Sequence, residues 1–179
     1  LLNELEQLNL RKNTLIIFAS DNGAAIQAPI KILNCNAGFK GRKGTLYEGG
    51  IRVPFIVNQP GMVPIQTLDN LIYFPDMMPT LAALAKGTKH LPKQINGINI
   101  LPLFYGKQVD TDNRLLYWEF PGKQRAARKG DWKCVTIHPN QPLELYNLKE
   151  DPEETNNLAK KYPRRVKEFD EEMQRMHIP

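Results

Sequence analysis

The stretch that most limits what this chain can fold into is Thr14-Leu-Ile-Ile-Phe-Ala19, a short β-branched and aromatic run with no polar alternation. It ends abruptly in Ser20-Asp-Asn-Gly23. Such a run reads as a strand buried on both faces, the kind found inside a parallel sheet. Ligands of open α/β sheets collect at the carboxyl ends of these strands. Asp21 and Asn22 stand at that end, two hard oxygen ligands side by side. Taken alone the triplet is equally a turn, since Asn-Gly is a common turn pair.

The surrounding pattern builds an α/β unit around this strand. Leu1, Leu5 and Leu8 fall on one helical face, so a helix precedes the strand, and a helix leading into a buried strand is half of a βαβ unit. The opening residues read as the body of a helix, with neither an initiator methionine nor a cap. The expectation is therefore a piece of a longer protein, with the first strand of that unit upstream. Residues 23–38, which include Pro29, read as loop. Phe39–Pro54 then packs four glycines and four basic residues into sixteen positions, a loop whose backbone approaches something closely. Val53–Val57 reads as a second strand. Tyr73–Lys86 reads as a helix with Pro75 and Pro79 near its start, Gly87 past its end, and Met77, Leu81, Leu84 and Ala85 on a core-facing side. Ile95–Tyr105 is an irregular apolar segment.

The pattern changes near residue 110. Arg114–Phe120, Gln124–Arg128, Trp132–Ile137 and Leu143–Asn147 read as strands, with a Lys129-Gly130-Asp131 hairpin turn. Val166, Phe169, Met173 and Met176 mark one face of a last helix. This is a meander plus a helix, an α+β unit. The boundary falls within 106–113 and divides the chain into 1–108 and 109–179.

The net charge of +5 draws partly on Arg125, Arg128, Lys129, Lys133, Lys160, Lys161, Arg164 and Arg165. A mild positive balance suits an anionic substrate. No basic patch interleaved with aromatics argues for nucleic acid, and no apolar run approaches the ~20 residues of a membrane span. Cys35 and Cys134 have no Cys-x-x-Cys spacing and no histidine at ligand spacing, which argues against zinc. They read as two buried thiols or as one disulfide.

An aspartate beside an asparagine amide oxygen suits a hard cation such as Ca²⁺ or Mg²⁺. A lysine in a glycine-rich loop suits an oxyanion. Together they are a sensible means of holding and polarising a charged ester. Ser20-Asp-Asn-Gly23, Gly41-Arg-Lys-Gly-Thr-Leu-Tyr-Glu-Gly-Gly-Ile-Arg-Val-Pro54 and Pro60-Gly61 resemble the second half of the type I sulfatase family. The order continues through Asp76-Met-Met-Pro-Thr-Leu81, Gly97-Ile-Asn-Ile-Leu-Pro-Leu103 and Arg128-Lys-Gly-Asp-Trp-Lys133. It closes with Glu144-Leu-Tyr-Asn-Leu148 and Asp151-Pro-Glu-Glu-Thr-Asn-Asn-Leu158. The resemblance covers nearly the whole chain. It is similar to the arylsulfatase and N-acetylgalactosamine-6-sulfatase branch, partly through Ser20–Ala25.

The resemblance implies a fold and a set of roles. The fold is α/β: a partial alkaline-phosphatase-like sulfatase domain over 1–108, then a small α+β domain, an antiparallel sheet with a C-terminal helix, over 109–179. Asp21 and Asn22 supply two calcium ligands of a site left incomplete here. Lys43 binds the sulfate group in a catalytic role, with Arg42 as the neighbouring second choice. Glu48 and Arg52 match the pattern as residues that fix the loop. Trp118, Glu119, Gln124 and Arg125 lie where a substrate-bordering loop would be, and Trp118, Glu119 and Arg125 are the substrate-binding candidates among them.

The family's nucleophile, a formylglycine made from a Cys/Ser-x-Pro-x-Arg motif, matches neither Cys35 nor Cys134, and is expected in the missing N-terminal half. His90, His138 and His177 match no family context and read as surface or loop residues. The implied activity is calcium-dependent hydrolysis of sulfate esters, of a sulfated carbohydrate or an aryl sulfate. The protein's own N-terminal half would be required for a complete site. The implied location is periplasmic, lysosomal or secreted. Two alternatives stand beside it: a phosphate-ester or phosphonate hydrolase of the same superfamily, and a non-catalytic fragment inert on its own.

Overall fold

A computed structural model of the chain describes residues 1–25, 27–28, 30–120, 124–138 and 140–177. The elements run in the order α1 (Leu2–Gln7), β1 (Ile16–Ala19), α2 (Ile30–Leu33), α3 (Glu48–Ile51), β2 (Phe55–Asn58), α4 (Met77–Leu84), α5 (Leu101–Phe104), β3 (Leu115–Phe120), β4 (Gln124–Lys129), β5 (Trp132–Thr136), β6 (Glu144–Asn147) and α6 (Pro163–Met176). Two compact units result. One joins Leu1–Ala19 to Phe55–Asp112. The other joins Ser20–Pro54 to the chain from Asn113 onward. The glycine-rich loop groups with the later strands in this division. Among the described residues no helix is long and apolar enough to cross a membrane.

In the first unit β1 pairs with β2, and the pairing is antiparallel, with Ile17 opposite Val57 and Phe18 opposite Ile56. An apolar run reports burial but not strand direction, and among the described residues the strand that pairs with β1 is the returning β2. Ile17, Phe55 and Val57 pack on Ile100, Leu103 and Phe104. The next pair in register, Phe18 and Ile56, faces outward and is 60% and 58% exposed. The apolar face of α1 is also open, with Leu1, Leu2 and Leu8 exposed.

Polar groups set the pose of α4. Asp76 is fully buried just before it. Its Oδ2 accepts the Tyr73 N–H at 3.0 Å and its Oδ1 the Ile98 N–H at 2.9 Å. One turn on, Thr80 Oγ1 accepts the Ile100 N–H at 2.9 Å. Turning Asp76 and Thr80 toward residues 98–100 rotates the expected core face. Met77 reaches the Ile100 cluster, whereas Leu81 and Leu84 stay 45% and 39% exposed.

The second unit is built on the antiparallel meander β3-β4-β5-β6. Gly130, at φ +55°, makes the β4–β5 turn in the left-handed region that glycine occupies freely. Register places Leu115, Tyr117 and Glu119 on one face with Arg125, Ala127, Cys134 and Leu145, and places Leu116 and Trp118 on the other with Ala126, Arg128, Lys133, Val135 and Tyr146. Helix α6 covers the first face through Phe169 and Met173, which join Ala127, Cys134 and Leu145. Both halves of the meander-plus-helix expectation are present. A short helix, α2, interrupts the segment expected to be loop; Pro29 lies outside the described residues. Both cysteines are free, Cys35 exposed and Cys134 buried, so no disulfide joins them.

Candidate functional site

The sheet face away from α6 is a platform for the glycine-rich loop. Leu46 and Tyr47 are buried against Ala126, Val135, Tyr146 and Leu148. The next residue, Glu48, is 3% exposed, and a carboxylate so far from water needs charged partners. Lys133 Nζ, itself fully buried, donates to Glu48 Oε1 at 2.8 Å. Arg52 and Arg128 approach Oε2 at 3.7 and 3.8 Å. A second buried carboxylate completes the group. Glu154 Oε1 lies 2.8 Å from Lys133 Nζ, as an ion contact outside hydrogen-bond geometry. Glu154 Oε2 accepts the backbone N–H of Glu48 at 2.6 Å. Burial pushes the Glu154 carboxyl above its ordinary range, against the pull of Lys133.

A second polar cluster pins the loop one turn earlier. Tyr47 and Tyr146 both donate to Glu144 Oε2, at 2.7 and 2.6 Å. Lys40 Nζ sits 3.3 Å from the same oxygen, 2.9 Å from the Tyr146 hydroxyl and 4.1 Å above the Tyr47 ring. Burial pushes both tyrosines up, and the Glu144 carboxylate adds to it. Burial acts on Glu144 in the same direction, yet the hydrogen bonds from Tyr146 and Tyr47 and the charge of Lys40 hold it below its ordinary value.

Above these anchors the backbone folds tightly on itself. The Gly49 N–H closes the loop base on the Lys40 carbonyl at 2.7 Å. A Cβ at Gly50 would meet the Thr45 carbonyl oxygen at 2.0 Å, and one at Gly23 would meet that of Gly49 at 1.8 Å, so neither position admits a side chain. Two backbone bonds then tie the Asp-Asn-Gly turn to this loop: Gly23 N–H to the Gly50 carbonyl and Lys43 N–H to the Ala24 carbonyl, each 2.9 Å. Asp21, Asn22, Arg42 and Lys43 are thereby gathered into one neighbourhood.

The side chains of that neighbourhood point to charge chemistry. Lys43 and Arg42 are exposed, and no described residue holds the Lys43 ammonium. Asn22 donates through Nδ2 to Asp21 Oδ1, and Ser20 Oγ donates to the Asn22 carbonyl at 2.8 Å. A carboxylate next to a carboxamide is a hard-oxygen donor pair, which fits Ca²⁺ in kind. Calcium takes six to eight oxygens, and among the described residues no group of three or more His, Cys, Asp or Glu could hold a metal. Asp21 and Asn22 thus offer two donors of the right kind, fewer than such a shell takes.

The three substrate-side candidates do not stay together. Trp118 lies on the platform face, beside Leu46 and Tyr47. Glu119 and Arg125 lie on the opposite face, toward α6. Glu119 accepts from the Tyr117 hydroxyl at 2.7 Å and pairs with His177 Nδ1 at 2.9 Å. The His177 and Tyr117 bonds hold its carboxyl below the ordinary range; burial, with the hydrogen bond to Glu119 and the charge of that carboxylate adding to it, pushes the Tyr117 hydroxyl up to about 12. Arg125 is 3.6 Å from Asp170 of α6. His90, His138 and His177 are all exposed. Lys133 and Glu154, which no sequence motif singles out, form an ion pair with both side chains fully buried. Lys133 shares a sheet face with Val135, but Cys134 between them is equally buried, so alternation does not single it out.

Residues 39–178 match the sequence family described as N-sulphoglucosamine sulphohydrolase, C-terminal. The chain is 32% identical to a sulfatase of Formosa agariphila over 86% of its own length and 30% of that protein's. It is 30% identical to an N-acetylgalactosamine-6-O-sulfatase of Bacteroides thetaiotaomicron over 96% of its own length and 38% of that protein's. Among solved structures it superposes, at a TM-score of 0.84 and 29% identity, on a protein studied in the metabolism of multiple glycosaminoglycans by Bacteroides thetaiotaomicron, covering 98% of this chain and 41% of that one. The chain thus spans about a third of the length of the curated relatives it matches.

Proposed function

We propose, from the premise that this chain belongs to the sulfatase family, that it is the C-terminal portion of an enzyme that hydrolyses sulfate esters, with the partial alkaline-phosphatase-like domain over 1–108 and the small α+β domain over 109–179. The observation that carries the reading is the pair of backbone bonds joining the Asp21-Asn22-Gly23 turn to the Lys43 loop. They hold hard-oxygen donors and an ammonium without a described partner within one segment of structure. Asp21 and Asn22 would supply two ligands to Ca²⁺, which when bound draws charge from the sulfate oxygens. Lys43 meets an anionic oxygen of the ester and offsets the charge that develops there, and Arg42 stands next to it as a second cation. The attacking group is expected from a Cys/Ser-x-Pro-x-Arg motif outside these residues.

A sulfated sugar is the substrate class we favour over an aryl sulfate, because one relative is an N-acetylgalactosamine-6-O-sulfatase. Trp118, on the platform face, is the candidate for contact with the organic part. From the family alone we infer a periplasmic, lysosomal or secreted location.

The test is Lys43→Ala in the full-length enzyme, assayed with paired sulfate and phosphate esters. Loss of one preorganised charge-stabilising donor costs about 10²–10³ in turnover. Sulfate-ester hydrolysis should fall by that factor. Unchanged turnover would remove Lys43 from the site, and hydrolysis of the phosphate ester in preference to the sulfate would replace the reaction class.

A further inference from the structure

The turn Glu48–Ile51 is where the two halves of the candidate site are joined. Its Gly49 N–H closes the loop that carries Lys43, and its Gly50 carbonyl receives the N–H of Gly23, behind Asp21 and Asn22. The turn itself has almost no regular structure to hold it, only four residues and no side-chain cap. What fixes it comes from the far end of the chain. Glu154 Oε2 takes the Glu48 N–H at 2.6 Å, and Lys133 Nζ takes the Glu48 carboxylate at 2.8 Å. Lys133 and Glu154 are each at most 1% exposed, and they touch each other at 2.8 Å.

Glu154 is also held in an unusual backbone pose, at φ +56°. A non-glycine residue there costs of order 1 kcal/mol or more and persists only where its surroundings over-determine it. Here they do. Asp151 accepts the N–H groups of Thr155 and Asn156 at 3.0 and 2.8 Å, and the Glu154 N–H bonds to the Asp151 carbonyl at 3.2 Å. A strained residue whose side chain ends on the backbone of the site's junction is a placed group rather than a packing accident.

We infer that Glu154 and Lys133 are positioning residues for sulfate and metal binding: through Glu48 they set the register of the Lys43 loop against the Asp21-Asn22 turn. This rests on the sulfatase reading of Lys43, Asp21 and Asn22. Neither residue meets the substrate. Their effect passes through one peptide N–H and one carboxylate, and a shift on the order of 1 Å in such a frame can cost about 10²-fold.

The test is Glu154→Gln in the full-length enzyme. Glutamine keeps an oxygen for the Glu48 N–H and removes the charge facing Lys133. The readouts are the inhibition constant of inorganic sulfate, the calcium concentration at half-saturation by titration, and the melting curve. The expected result is a folded enzyme in which both constants rise about 10–100-fold, and in which Glu154→Gln adds nothing further to the sulfate constant in a Lys43→Ala background. If Glu154→Gln does not fold, Glu154→Asp, which keeps the charge but withdraws the carboxylate, takes its place with the same expectation. A folded variant with both constants unchanged overturns the inference, even if its melting point drops. Lys43→Ala separates the two levels. If it leaves sulfate inhibition untouched, the sulfatase reading of Lys43 fails; if it abolishes sulfate inhibition while the Glu154 variant changes nothing, only the positioning role fails.

Discussion

Lys133→Met is the sharpest test of what holds the second unit together. Methionine nearly matches lysine in length, so the substitution removes charge with little loss of volume. The ammonium is fully buried, with carboxylate oxygens of Glu48 and Glu154 each at 2.8 Å. At an effective dielectric near 20, each contact is roughly 6 kcal/mol of gross attraction. Desolvation of the three groups, several kcal/mol per ion, offsets most of that. The two orphaned carboxylates are not equivalent. Glu48 keeps Arg52 and Arg128 at 3.7 and 3.8 Å, while among the described residues Glu154 keeps the Glu48 N–H alone. An uncompensated buried charge of this kind costs about 3–5 kcal/mol.

The pH dependence has a definite sign. Burial already raises the Glu154 carboxyl above its ordinary range, and losing Lys133 removes the main influence that lowers it. A group whose folded pKa is raised contributes stability fully below its unfolded pKa and loses it as pH rises through the folded value. The defect should therefore be larger near pH 8 than near pH 5, where Glu154 can take up a proton, with the ordinary carboxylate value at about 4.3. Urea unfolding can be followed through Trp118 and Trp132, the chain's two tryptophans, one on each face of the sheet. The midpoint should fall by roughly 2 M, and Lys133→Met with Glu154→Gln should recover most of the loss. A single-variant cost under about 1 kcal/mol, or a double variant no better than the single, would refute the charge argument.

Two further outcomes follow from the same geometry. Burial, with the field of Asp170, pushes the Cys134 thiol up to about 12, so a thiol reagent applied to the native protein should titrate Cys35 alone, with Cys134 reacting only after denaturation; two fast thiols would contradict the packing of α6. Glu144→Gln weakens the acceptor shared by Tyr47, Tyr146 and Lys40 and should cost about 1–3 kcal/mol near neutral pH. Because the Glu144 carboxyl is held below its ordinary value, its contribution is present above that range and is lost as pH falls through the folded value; an equal variant-to-native difference at neutral and strongly acid pH would count against it.

The second unit was legible because two periods coincide there. Alternation over 115–136 and the spacing of Val166, Phe169 and Met173 specify which faces meet, and Phe169 and Met173 are indeed the buried residues of α6. That same alternation already separates Glu119 from Trp118: Glu119 shares parity with Leu115 and Tyr117, the side that α6 covers. Trp118, Glu119 and Arg125 are accordingly divided between the two faces. Strand direction at β1 was different in kind, since an apolar run looks alike in either orientation. The exposure of Leu81 and Leu84 was also unreadable, because two hydrogen bonds from Asp76 and Thr80 to residues distant in sequence set the helix rotation. Lys133 escaped because a lone lysine in a strand ordinarily points to water. Only the carboxylates of Glu48 and Glu154 make the inward orientation tolerable.

Those carboxylates belong to a set of contacts by which segments far downstream hold the glycine-rich loop. Arg128 and Lys133, from one motif, reach Glu48. Glu144 and Tyr146, from the next, reach Lys40 and Tyr47. Asp151, from the last, fixes the turn that delivers Glu154 to the Glu48 N–H. Every one of these contacts ends on residues 40–48, and Lys43 is the member of that loop whose ammonium no described residue holds. A flexible glycine-rich loop loses conformational entropy when it grips an anion. Anchoring both its sides on a rigid sheet moves that loss into folding, so that in the proposed role of Lys43 the cation would meet its ligand already placed. The glycines let the backbone close on itself, and the sheet keeps it closed.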